Sequence, residues 1–166
     1  MSYLPYPEPR YDGQTGEPSG PYRPGSVPAE LVTPSGTEVH YLATGASTDG
    51  QLGLYRYVMG PGRGGPDPHF HRAITESFYV LSGTVRLYDG AEWTDATAGD
   101  YHFVPPGGIH AFRNDSGQPA SMLLLFTPGA PREAYFEGLA ELAASGRQPS
   151  QQEITEFYRQ HDQFMV

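Results

Sequence analysis

The pattern of apolar and polar positions divides the chain into three parts. From Thr37 the pattern has period 2, and it predicts short strands over 37–44, 51–59, 76–81, 84–89, 92–96, 101–104, 110–114 and 120–126. Turn signals separate them: SG at 82–83, DG at 89–90, AGD at 98–100, PPGG at 105–108 and NDSG at 114–117. Many short strands at regular spacing predict an all-β sandwich or barrel. In the strand over 51–59, Leu52, Leu54, Arg56 and Val58 share one face, and Tyr55, Tyr57 and Met59 share the other. Either face can wall the interior. After Thr127 the period becomes 3.6. Tyr135, Phe136, Leu139, Leu142 and Ala143 fall near one face of a helix over 131–144, with Pro131 suited to its first position and Gly146 to its end. Ser150 and Glu153 form a capping box for a second helix, in which Ile154, Phe157, Tyr158 and His161 recur on one face.

Residues 1–29 are rich in Pro, Gly, Ser and Tyr, so no helix or central strand is expected there. Tyr3, Tyr6, Tyr11 and Tyr22 point to an arm that packs along its own barrel or across a partner. The expected division is an arm over 1–29, a β-barrel over 30–127, and a helical extension of the same domain over 128–166.

Composition narrows the chemistry. The 166 residues suit one domain, which buries roughly 70% of its unfolded surface and needs no metal as a staple. Net charge is −9, pI is about 5.0, and there is no basic run, which argues against nucleic-acid and anionic-membrane partners. All ten basic residues are arginine. Without lysine there is no Schiff base and no P-loop lysine. Without cysteine there is no thiol nucleophile, zinc–thiolate site, iron–sulfur cluster or disulfide. The N-terminus has no basic and apolar leader pattern, and no apolar run has membrane-spanning length, so a soluble cytoplasmic protein is expected.

The remaining candidates for chemistry are metal ligands. His69, His71 and Glu76 lie within the stretch HFHRAITESFYVLSG. On a strand His69 and His71 share a face while Phe70 points away, and a turn through 72–75 can return Glu76 to them. A second stretch, GDYHFVPPGGIHAFRN, supplies His110. The first reads H-x-H-x4-E-x6-G, ending at Gly83; the second reads G-x5-P-x-G-x2-H-x3-N over Gly99, Pro105, Gly107, His110 and Asn114.

Together these resemble the two motifs of the cupin superfamily, over about residues 36–127. The first motif departs at its start, where Arg63 stands in place of the usual glycine, flanked by Gly62 and Gly64. The resemblance implies a cupin jelly-roll β-barrel that holds one divalent transition metal on His69, His71, Glu76 and His110. Three imidazoles and a carboxylate suit Ni, Mn, Fe, Co, Cu or Zn alike. The stretch after the last strand and the F-Y-V-L run narrow the likeness to single-domain cupins of the quercetin 2,3-dioxygenase type. That implies O2-dependent ring cleavage of a flavonol-like or enol-bearing aromatic substrate, with Glu76 as both ligand and proton acceptor. Two alternatives stay open: an O2-independent isomerase, lyase or cyclase acting on a polyketide-like substrate through the same metal, and a non-catalytic metal- or small-ligand-binding cupin.

Strand alternation nominates Phe78 and Val80 after Glu76, Phe112 after His110, and Tyr55, Tyr57 and Met59 as walls of an aromatic pocket. His40 and His102 read as structural or surface histidines, and His161 as a complement to a helix dipole. Arg56 and Arg113 read as solvated or paired with surface acids. Sheet edges and an apolar face predict a homodimer.

Overall fold

The structure, a computed structural model, describes residues 3–62 and 64–166. In chain order the strands are β1 (Leu31–Val32), β2 (Glu38–Ala43), β3 (Gly53–Met59), β4 (His69–Phe70), β5 (Thr75–Ser82) and β6 (Thr84–Tyr88). They continue with β7 (Trp93–Thr97), β8 (Tyr101–Val104), β9 (Ala111–Arg113) and β10 (Ala120–Thr127). Helices α1 (Arg132–Ala144) and α2 (Gln151–Gln160) follow, and β11 (Phe164–Met165) closes the chain.

The strands form a jelly roll. A six-stranded sheet in the order β1-β2-β3-β10-β5-β8 faces a three-stranded sheet β7-β6-β9, and β4 pairs with β11 in a third. All the strand pairs are antiparallel. β10 is central because it can be buried on one face along its whole length. Ala120, Met122, Leu124 and Phe126 are at most 1% exposed while their neighbours are only partly covered. It pairs with β3 on one side and β5 on the other. Phe78 and Val80 of β5, Val85 and Leu87 of β6, and Phe112 of β9 complete the interior. Each large apolar side chain buried in this way contributes about 1.5–3 kcal/mol.

The helices lie against the β3–β10 side. Tyr135 and Phe136 of α1 are buried, and the Phe136 ring meets Tyr55 edge-on at 5.4 Å. Phe157 of α2 stacks on Tyr135 at 5.9 Å. The capping box is formed: the Ser150 hydroxyl accepts from the Glu153 amide at 3.2 Å, and the Glu153 carboxylate accepts from the Ser150 amide at 2.8 Å. Pro131 is the N-cap of α1 rather than its first helical residue, and Ala143 faces solvent. The apolar face of α1 is therefore shorter than its periodicity predicts.

Two short strands have no counterpart in the sequence pattern. β1 extends the large sheet, and β11 pairs with the strand that carries His69. Both are two residues long, too short for alternation to register. At the arm, Tyr3, Tyr6 and Tyr22 are 85%, 95% and 88% exposed, so these rings do not pack on the barrel of their own chain. The arm's root is tied down where Arg23 pairs with Glu30 at 2.6 Å and Glu30 accepts from the Tyr41 amide of β2. No helix among the described residues is long and apolar enough to cross a membrane.

Candidate metal centre

His69, His71, Glu76 and His110 are all buried, and one potential ligand atom from each lies within 4.8 Å of the others. Different local devices place each one. His69 and His110 form an isolated antiparallel bridge: each amide donates to the other's carbonyl, at 3.0 and 2.9 Å. This sets their imidazoles side by side, with ring centroids 4.3 Å apart. His71 lies two residues after His69 and on the same side. Phe70 points the other way and stacks on Phe164 of β11 at 5.3 Å. The turn after His71 is capped by Asp162, whose carboxylate accepts from the amides of Arg72 and Ala73 at 3.0 and 2.8 Å. That turn delivers the chain into β5, where Glu76 faces inward.

The loop before His69 has its own constraint. Gly65 has φ +110°, and a Cβ there would lie 2.0 Å from the Phe112 carbonyl oxygen, so only glycine fits. Arg63 lies outside the described residues. Gly83, which ends the first motif, has φ +72° and leaves no room for a Cβ against the Pro119 carbonyl at 2.4 Å. Asn114, which ends the second motif, is fully buried and ties two loops by donating to the Gly60 and Gln118 carbonyls at 2.9 and 2.7 Å.

The imidazole orientations reveal what the cluster is built to hold. His69 Nδ1 donates to the Asp67 carbonyl at 2.9 Å, His71 Nδ1 to the Asp162 carbonyl at 2.6 Å, and His110 Nδ1 to the Gly108 carbonyl at 2.9 Å. A carbonyl only accepts, so each Nδ1 carries a proton and each ring turns its Nε2 inward, free to bind a cation. Glu76 Oε2 lies 2.9 Å from His110 Nε2 and 3.1 Å from His71 Nε2. A ring nitrogen and a carboxylate stay together at that distance only through a shared cation, either a proton on Nε2 or a metal ion that replaces it. The donor set therefore fits a divalent transition metal: three oriented imidazoles and one carboxylate, each imidazole backed by a carbonyl.

Without an ion, a proton takes the cation's place. Burial, with the charge of His110, pushes His69 down to about 3, so it is neutral near pH 7. Burial alone would raise Glu76, but the hydrogen bonds and charges of His110 and His71 outweigh it and hold the carboxyl well below its ordinary value. Burial opposes protonation of His110, but Glu76 beside it wins and raises it.

Beside the cluster is a cavity of about 250 Å³ whose lining includes His69, Glu76, Tyr57, Phe112, Phe126 and Arg132. Of the nominated pocket residues, Tyr57 and Phe112 line it. Tyr55, Met59, Phe78 and Val80 are instead sealed in the core, each at most 1% exposed. Alternation assigns a residue to the inner face but does not say whether it reaches a cavity, and none of these four is on the wall of this one. Tyr55 instead fastens α1 to the sheet, its hydroxyl donating to Glu133 Oε2 at 2.5 Å. Burial pushes the Tyr57 hydroxyl up to about 12, so it remains a proton donor at neutral pH.

The other nominated residues lie outside the cluster. His102 is half-buried and packs on Phe78. His40 accepts from the Arg56 guanidinium at 2.9 Å, so Arg56 is paired with a histidine rather than a surface acid. Arg113 pairs with Asp115 and lies 4.1 Å over the Trp93 ring. His161 does not complement the helix dipole as a cation, since burial and the nearby Arg132 lower its pKa. Sequence reasoning missed Arg132, Asp162 and Gln163. All three act across the fold on residues far away in the chain, and no local pattern marks them.

The comparisons with known proteins come to the same fold. Residues 55–126 match the family described as cupin domain. Among curated proteins, an uncharacterised protein of Aquifex aeolicus (strain VF5) is 36% identical over 61 residues, which are 37% of this chain and 50% of that protein. Quercetin 2,3-dioxygenase of Bacillus subtilis (strain 168) is 29% identical over 108 residues, 64% of this chain and 31% of that enzyme. The chain thus spans half or less of the length of these relatives. The solved structure of KdgF from Halomonas sp. superposes with a TM-score of 0.51 at 20% identity, covering 60% of this chain and 86% of that one. It is a likeness of fold alone.

Proposed function

We propose that this chain, a cupin by its matched domain and its fold, is a metal-dependent enzyme acting on a small enol-bearing aromatic substrate, by O2-dependent cleavage of the quercetin dioxygenase kind. The observation that carries the reading is the convergence of three carbonyl-oriented imidazoles and one buried carboxylate beside an aromatic-walled cavity. His69, His71, Glu76 and His110 would hold the ion. When bound, a divalent metal supplies Lewis acidity that polarises the substrate's hydroxyl and carbonyl oxygens.

The chain's own residues supply the rest. Tyr57, Phe112 and Phe126 line the cavity with aromatic faces, which suit a flat substrate and exclude water. Glu76 stays ionised at neutral pH and lies on the cavity wall, where it can accept the proton of the substrate hydroxyl at a carboxylate oxygen. Tyr57, protonated at neutral pH, offers a hydroxyl donor to an oxygen of the substrate.

The exposed aromatic side of the sheet suits a second copy of the chain. Tyr101 and Phe103 on the edge strand β8 are 62% and 52% exposed, and the arm's tyrosines are free to reach a partner. We take the working protein to be a homodimer.

The test is aerobic incubation of metal-loaded protein with quercetin, following loss of its visible absorbance together with oxygen uptake. The reading expects both, and it expects Glu76→Gln to bind metal but lose turnover. Turnover under strict anaerobiosis would favour lyase or isomerase chemistry at the same site. Full activity in Glu76→Gln would remove its proton-accepting role.

A further inference from the structure

Arg132 sits in an unusual place for an arginine. It is 4% exposed and lines the same cavity as Glu76 and His69. Its guanidinium carbon lies 4.1 Å from the centroid of the Tyr135 ring and 5.1 Å from that of Phe126. No acid among the described residues is within ion-pair distance of it. The neighbouring acid, Glu133, is occupied by the Tyr55 hydroxyl. A buried charge without a counter-ion is costly, and the aromatic faces compensate it only in part.

The free groups lie along one edge. Nη1 donates to the His161 carbonyl at 2.8 Å. Nη2 makes only a long contact of 3.5 Å to Gln163 Oε1, and Nε is buried without a partner. Nε and Nη2 together form the side edge of the guanidinium, the edge that takes a carboxylate through two parallel hydrogen bonds. A divalent ion with one carboxylate ligand leaves one positive charge, and Arg132 adds another. A substrate carrying an ionised hydroxyl and a carboxylate neutralises both. The cavity, at about 250 Å³, lies just below the usual range for drug-sized ligands, which suits a one- or two-ring molecule better than a larger one.

We propose that Arg132 anchors a carboxylate of the substrate, so that the site prefers an aromatic hydroxy acid to a neutral aromatic such as a flavonol. The inference rests on the metal-dependent reading above, but its test separates the two. Zinc, which is redox-inert, is titrated into the full-length protein, and the zinc-loaded protein is then titrated by calorimetry with 3,4-dihydroxybenzoate and with 4-methylcatechol. The two probes share the metal-binding hydroxyl pair and differ in the carboxylate. The acid is expected to bind at least about tenfold more tightly, the least that a charged hydrogen-bonded pair contributes. Arg132→Gln is expected to remove that preference while zinc uptake and 4-methylcatechol binding stay within about twofold of the original.

Equal affinity of the two probes for the unsubstituted protein overturns the proposal while leaving the metal reading intact. So does equal weakening of both probes in Arg132→Gln, which would make Arg132 only a pin for the turn at His161. Absence of zinc uptake overturns both readings. If Arg132→Gln does not fold, Arg132→Lys keeps the charge and loses the two-toothed edge. It is then expected to lose most of the preference, and full retention of the preference overturns the assignment.

Discussion

Asp162 tests whether the C-terminal turn positions the metal ligands. Its carbonyl accepts from His71 Nδ1 at 2.6 Å, and its carboxylate caps the turn between His71 and Glu76. It does this with φ at +55°, in the left-handed region. Asp162→Gly keeps the carbonyl and relaxes the backbone but deletes the carboxylate. Two charge-assisted hydrogen bonds are lost, together about 3 kcal/mol at the low end that suits their exposed setting. Relief of the left-handed conformation returns about 1 kcal/mol, so the net loss of stability is about 2 kcal/mol. In urea this lowers the unfolding midpoint by about 1 M at a typical slope. The larger effect falls on the site, because His71 and Glu76 lose the cap that fixes them relative to each other. Removing an outer partner of this kind lowers metal affinity about 10- to 100-fold. Competition between the protein and a chromophoric chelator for zinc measures it. Asp162→Asn, which keeps one acceptor oxygen and tolerates the backbone, is expected to fall between the two. Zinc affinity within twofold of the original in Asp162→Gly, alongside the expected loss of stability, would refute the positioning role and leave the tail a simple staple.

Other consequences can be measured separately. In chelator-treated protein His69 contributes stability that is complete above pH 6.5 and is lost as pH falls towards its folded value of about 3. Glu76 adds stability present above its ordinary 4.5 and lost as pH falls through its lower folded value. His110 runs the other way, its share being complete below 6.5 and lost as pH rises through its raised folded value. Thermal melts of the chelated protein should therefore decline from pH 6 to pH 4, and an unchanged melting temperature over that range would contradict the assignment. Zinc affinity should also weaken on acidification, because protons compete at His110. Gly65→Ala forces a Cβ against the Phe112 carbonyl and should cost at least about 1–3 kcal/mol in denaturant unfolding. Light scattering should report particles of twice the 18.1 kDa chain, and monomers alone would contradict the dimer.

Sequence reasoning reached those features that rest on local pattern. Strand positions followed from alternation and turn residues, and seven of the eight expected strands overlap an observed one of four or more residues; only 110–114 shrinks, to the three-residue β9. The four converging residues were legible because H-x-H and the glycine- and proline-bounded stretch before His110 encode a bridge and two turns within a few residues of each ligand. What acts across the chain was not legible. Asp162 meets Arg72 from 90 positions away, and Arg132 meets His161 from 29. Neither contact leaves a trace in the periodicity of the residues around it. Alternation placed Tyr55, Met59, Phe78 and Val80 on the inner face, but it carries no information on distance from the cavity, and only Tyr57 and Phe112 of the nominated set reach it.

The central claim is that His69, His71, Glu76 and His110 form one metal centre, and elemental analysis tests it most directly. Purified protein, reconstituted with a divalent transition metal and freed of excess, should retain one ion per chain. His69→Ala combined with His110→Ala should retain none while keeping the far-ultraviolet signature of the fold. A metal-free original protein, or a double variant that still holds a full equivalent, would contradict the account.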